Sequence, residues 1–138
     1  MMAAPLLGFD VNNDEHALAW QRSYEHLRGS IATLRGTHEP VDILAMLHDG
    51  SLFLWPGQKA SAITQIDVYP RKTVCHVFLL GGPGGLGEIQ AWGQRDGPLD
   101  HWAFDRWHCD WISHMGRRGW SRMMDCEPLG EVGMRTRA

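Results

Sequence analysis

The residues best suited to chemistry lie in and around one glycine-rich stretch. Residues 81–87 read Gly-Gly-Pro-Gly-Gly-Leu-Gly and follow directly on an apolar run, Val-Cys-His-Val-Phe-Leu-Leu, at 74–80. Glycine tolerates positive φ and lets backbone N–H groups turn toward a ligand with no Cβ in the way. A buried strand feeding a glycine turn that opens a helix is a recurrent place to hold a phosphate group. Gly82, Gly84, Gly85 and Gly87 are therefore the candidate anion-binding positions, through their backbone amides; a simple structural turn is the competing reading. His76, in the middle of the apolar run, could act as a general base if its face lines a cleft, and a satisfied strand histidine otherwise. Gln65 and Asp67 could orient an amine or be solvated strand-face residues. Arg117, Arg118 and Arg122 surround Trp120 in a short basic cluster suited to a phosphate or an acidic protein surface, or to an exposed charged face. His101, His108, Cys109, His114 and Cys126 suggest zinc, but no pair has the C-x₂-C or H-x₃-H spacing of a zinc site, so no metal is expected.

Composition narrows the class. A chain of 138 residues is expected to form one domain, over residues 1–138, with enough buried surface for a real core. Hydrophobic residues make up 43% and charged residues 21%, a globular rather than disordered balance. The net charge of -3 argues against a dedicated nucleic-acid binder, which usually carries a basic excess. The three cysteines, Cys75, Cys109 and Cys126, are odd in number and lack a CxxC pair, which fits free thiols and a reducing compartment rather than a disulfide framework. The first residues lack the basic region of a signal peptide, and no apolar run is long enough to span a bilayer. A soluble protein without a membrane partner is expected. Seven tryptophans point to a core or an interface rich in large rings.

These candidates need elements to position them. Ala17, Trp20, Tyr24, Leu27, Ile31 and Leu34 recur in steps of three and four, predicting a helix over 12–34 with Asn12 and Glu15 as a capping pair. Gly29 could divide it into two. Gln21, Arg22, Glu25 and Arg28 form its solvated face. A second helix is expected over 40–48, with Pro40 at its start and Gly50 past its end. Three antiparallel strands should follow, at 51–55, 60–69 and 74–80, joined by turns at Pro56-Gly57 and Pro70-Arg71-Lys72. The remainder reads as helix at 86–92, helix at 99–107, strand at 111–116, helix at 117–124 and strand at 131–135. This is a mixed α/β layout with helices packed on one sheet.

Four segments, G-S-L-F-L-W-P-G (50–57), A-I-T-Q-I-D-V-Y-P-R-K (62–72), V-F-L-L-G-G (77–82) and M-G-R-R-G-W-S-R (115–122), resemble a group of small bacteriophage proteins of the GNAT (Gcn5-related N-acetyltransferase) fold. The likeness spans roughly residues 20–124, and Gly116-Arg117-Arg118-Gly119-Trp120 is its most specific part. The resemblance implies an α/β (α+β) fold with a mostly antiparallel sheet flanked by helices. Residues 74–80 would be its long central strand and 111–115 the strand that splays from it. It also implies an acetyl-CoA or acyl-CoA site, with the pyrophosphate on the amides of 82–87. Two features depart from the family's pattern. No Gln or Arg leads the glycine turn, and Pro83 removes one N–H donor. Neither tyrosine, Tyr24 nor Tyr69, falls in the late helix where many such enzymes keep a general acid. The first expectation is thus a non-catalytic virion, assembly or protein-interaction component. It would use Arg117, Arg118, Trp120 and Arg122 toward other phage or host proteins, with oligomerisation open. The second is an acyl-CoA-dependent N-acyltransferase with His76 or a water-linked carboxylate as base. A phage-encoded inhibitor of a host protein is the third. The host cytoplasm, or the virion, is where such a chain would reside.

Overall fold

A computed structural model describes residues 2–115, 126–129 and 132–137. Its elements are α1 (Asp14–Ala32), α2 (Pro40–His48), β1 (Phe53–Trp55), β2 (Ser61–Val68), β3 (Thr73–Gly81), α3 (Leu86–Gly93), the single turn α4 (Pro98–Asp100) running on into a π-helical segment (His101–Arg106), β4 (Trp111–Met115), β5 (Glu127–Leu129) and β6 (Val132–Thr136). The strands form one six-stranded sheet in the order β1-β2-β3-β4-β6-β5. Every neighbouring pair is antiparallel except β3 and β4, which run parallel because α3, α4 and the π segment cross over between them. The mixed α/β expectation holds. β5 was not foreseen, and the expected helix at 117–124 lies outside the described residues.

The apolar run at 74–80 is continuous because both faces of β3 are covered. Cys75, Val77 and Leu80 join Trp55, Ala62, Ile89, Trp92, Leu99, Phe104 and Ile112 in a core beneath α3 and the π segment. Leu79 joins Leu27, Ile43, Leu47, Leu54 and Ile63 in a second core beneath α1 and α2, with Phe78 packed against it. Trp55, Trp92, Trp102 and Trp107 serve the first core, and Trp20 packs against the second. Trp55, Trp92 and Trp102 are buried, and their rings meet edge to face at centroid distances of 5.5 and 5.8 Å.

Local chemistry sets the ends. The N-cap of α1 is Asn13, not Asn12: its side-chain oxygen accepts the His16 N–H at 3.2 Å. Gly29 does not divide the helix. The buried residues of α1 are Ala19, Ser23 and Leu27, and Trp20, Ile31 and Leu34 of the expected apolar stripe pack half-buried against the second core. In α2, Pro40 opens the helix and the Asp42 carboxylate accepts the Glu39 N–H at 2.9 Å.

Candidate functional site: a fork between two parallel strands

β3 and β4 are in register from Val74↔Trp111 to Val77↔His114; among the described residues the pairing goes no further, although β3 continues to Gly81. At the same point β3 carries a bulge. Ile63 of β2 pairs with Leu79 and Thr64 pairs with Val77, which leaves Phe78 as the extra residue. A bulge bends its strand and re-aims the side chains beyond it. Here it coincides with the end of β4 pairing and opens a fork.

The fork is a cleft of about 430 Å³. Its walls are Val77 to Pro83 along β3 and the glycine turn, His114 and Met115 at the end of β4, and Glu25, His26, Gly29, Ser30 and Thr33 on one face of α1. Ser30 fastens that face to the strand, its hydroxyl donating to the Leu80 carbonyl at 2.6 Å. His114 is buried, and burial, reinforced by neighbouring His76, pushes its pKa below the ordinary value. Met115 is exposed at the mouth.

The glycines divide by environment. A Cβ on Gly82 would lie 2.2 Å from the Lys59 carbonyl oxygen, and one on Gly85 would lie 2.5 Å from the Ala60 Cβ. Those two glycines let the turn press against residues 59–60. Gly84, at φ +75°, and Gly87 would meet nothing within 4 Å and face open space. Glu88 sits where it would repel a phosphate if it faced the same way. Its carboxylate is instead turned to the 58–60 loop, where it accepts the N–H groups of Ala60 at 2.8 Å, Lys59 at 3.0 Å and Gln58 at 3.1 Å. Burial alone would raise its pKa, but those donors outweigh burial and hold it below the usual carboxylate value.

His76 is not among the residues that line the cleft. It is half-buried on the sheet, its Nδ1 2.8 Å from the Ser113 hydroxyl across the β3–β4 pair. Burial lowers its pKa, partly offset by the negative charge of Asp67. Gln65 stands opposite His76 on β2. The structure therefore separates His76 from the glycine turn and brings His26, Ser30 and His114 to the cleft in its place. Sequence reasoning passed over His26 and Ser30 because they lie off the apolar stripe of α1. Arg117, Arg118, Trp120 and Arg122 lie outside the described residues. Among the described residues no group of three or more His, Cys, Asp or Glu side chains is arranged to hold a metal ion, and no helix is long and apolar enough to cross a membrane. Cys75, Cys109 and Cys126 are all buried; burial raises the Cys109 thiol to about 11.

No protein-family model, curated protein or solved structure matches this chain.

Proposed function

We propose that the chain is a GNAT-like domain of bacteriophage type that binds an acyl-CoA in the fork, as an acyl-CoA-dependent N-acyltransferase. The observation that carries this reading is the open fork itself. β3 runs on past its last β4 partner along a cleft, with a bulge at the parting point and a glycine turn at the far end. A strand edge left by a departing neighbour offers peptide N–H and C=O groups to an extended ligand that carries amides of its own. The pantetheine arm of coenzyme A is such a ligand. Its phosphates would then fall to the amides of the glycine turn just beyond the cleft, where Gly84 and Gly87 face open space.

A second reading is supported by the glycine turn. Gly82 and Gly85 are committed to packing, Pro83 offers no N–H, and His76 is outside the cleft. These features favour a domain that keeps the fork without the chemistry, as a virion, assembly or protein-interaction component acting on phage or host proteins in the infected cytoplasm.

Calorimetric titration with acetyl-CoA separates the two. Micromolar binding is expected, weakened at least tenfold by Gly87→Asp, which adds a negative charge where a Cβ would meet nothing within 4 Å and the backbone is not left-handed. No heat at millimolar ligand from folded protein would overturn the acyl-CoA reading. Co-purification from infected cells would then seek the partner that the second reading requires.

A further inference from the structure

The helical wall of the cleft carries an imidazole that is held from behind. His26 lines the cleft, and its Nδ1 lies 2.8 Å from the Ser61 hydroxyl oxygen. Ser61 in turn donates to the Ser23 hydroxyl at 2.9 Å and accepts the Gly57 N–H at 3.4 Å. Ser23 and Ser61 are both fully buried between α1 and β2. Hydroxyls in such an interface carry a desolvation cost that alanine would avoid. Here they form a chain that ends on the ring. With its own proton given to Ser23, Ser61 is an acceptor toward His26. In that arrangement the ring is the Nδ1–H tautomer and its lone pair is on Nε2; with the Ser–Ser bond reversed, Ser61 donates to Nδ1 and the proton is on Nε2.

The charged and polar groups around the ring are Arg22 on its own helix, Glu88 at the start of α3 and the Gln58 carbonyl, with Glu25 and His114 also on the cleft wall. Burial first, and then Arg22, lower its pKa below 6.5, outweighing Glu88 and Gln58, so the ring is neutral at pH 7. A neutral imidazole anchored at Nδ1 on the wall of a cleft has the form of a general base.

Resting on the acyl-CoA reading of the fork, we infer that His26 Nε2 takes the proton from the amine that attacks the thioester. The amine nitrogen forms the new C–N bond to the carbonyl carbon. Its proton passes to Nε2, the C–S bond breaks, and the thiolate of coenzyme A leaves and recovers a proton from the imidazolium. Ser61 and Ser23 are positioning residues for that transfer.

Two measurements test this. Nitrogen NMR of the free protein should show His26 as the Nδ1–H tautomer; an Nε2–H tautomer would overturn the inference whatever the activity. Thiol release from acetyl-CoA, with spermidine and free lysine as probe amines, should fall 10²–10⁴-fold in His26→Gln. Acetyl-CoA affinity, read by calorimetry, should change far less than thiol release does. Ser61→Ala should give a smaller loss together with a shifted pH profile. Equal thiol release by His26→Gln, or acetyl-CoA binding by the wild type without thiol release, would overturn the role of His26 alone. Absence of acetyl-CoA binding by the wild type would overturn the reading of the fork itself.

Discussion

Neighbouring glycines in the 81–87 turn have different reasons for being glycine. Gly85 is there because the Ala60 Cβ occupies the space its own side chain would need. Gly87 has no such neighbour and lies within the first turn of α3. Gly85→Ala should therefore lose about 1–3 kcal/mol, the usual cost of overpacking. Gly87→Ala should be neutral or gain up to about 1 kcal/mol by narrowing the unfolded ensemble. Urea denaturation of the two variants checks both signs, and equal losses would contradict the packing described. The sequence shows that glycines cluster after an apolar strand. It cannot show which of them meets the backbone at 59–60, because that contact joins residues more than twenty positions apart. The same holds for the two histidines. His76 stands out in an apolar run and is tied to Ser113, whereas His26 is hidden in helical periodicity and reaches the cleft.

At the scale of elements, one buried ion pair ties the C-terminal strand to the crossover. Arg135 of β6 has a fully buried side chain and pairs with Asp100 of α4, whose side chain is only 9% exposed. Its guanidinium also donates to the Gly93 carbonyl at the end of α3, at 2.7 Å. The other Asp100 oxygen accepts the Asp96 N–H at 2.8 Å, so the pair holds the α3–α4 corner as well. Removing one partner leaves a buried charge uncompensated. Asp100→Ala should thus destabilise by about 3–5 kcal/mol, and pairing it with Arg135→Met should recover part of that loss. Denaturant midpoints of the single and double variants measure the coupling, and strict additivity would show that the pair does not act as a unit. None of this was legible beforehand, since Asp100 and Arg135 are separated by 35 positions and neither sits in a recognisable pattern. The elements themselves were more legible. α2 falls at 40–48 as expected because Pro40 and Gly50 punctuate it, and β3 lies within a residue or so of the expected 74–80.

Over the whole molecule, the titrating groups make stability fall on the acid side. His26, His76 and His114 all have pKa values lowered mainly by burial. A histidine depressed in the folded state favours folding above its unfolded value of 6.5, and that contribution is lost as pH falls through the folded value. Glu88, held below 4.5, acts in the same direction at lower pH. His101 opposes them. Its bond to Asp105 raises its pKa, so its contribution is present below 6.5 and lost as pH rises through the raised value, but the pair is exposed and screened by solvent. The melting temperature should therefore decline as pH falls below 6.5, and His26→Gln should flatten part of that decline; a flat profile would contradict the burial of these rings. By itself the sequence determined what short-range physics fixes: helix and strand periodicity, turn punctuation, the two-sided burial of β3 and hence a mixed α/β sheet. The tertiary structure alone decided that β3 and β4 part at a bulge, that the parting opens a cleft, and that His26 rather than His76 lines it. Each depends on contacts between distant residues, whose geometry is set only when the helices dock on the sheet.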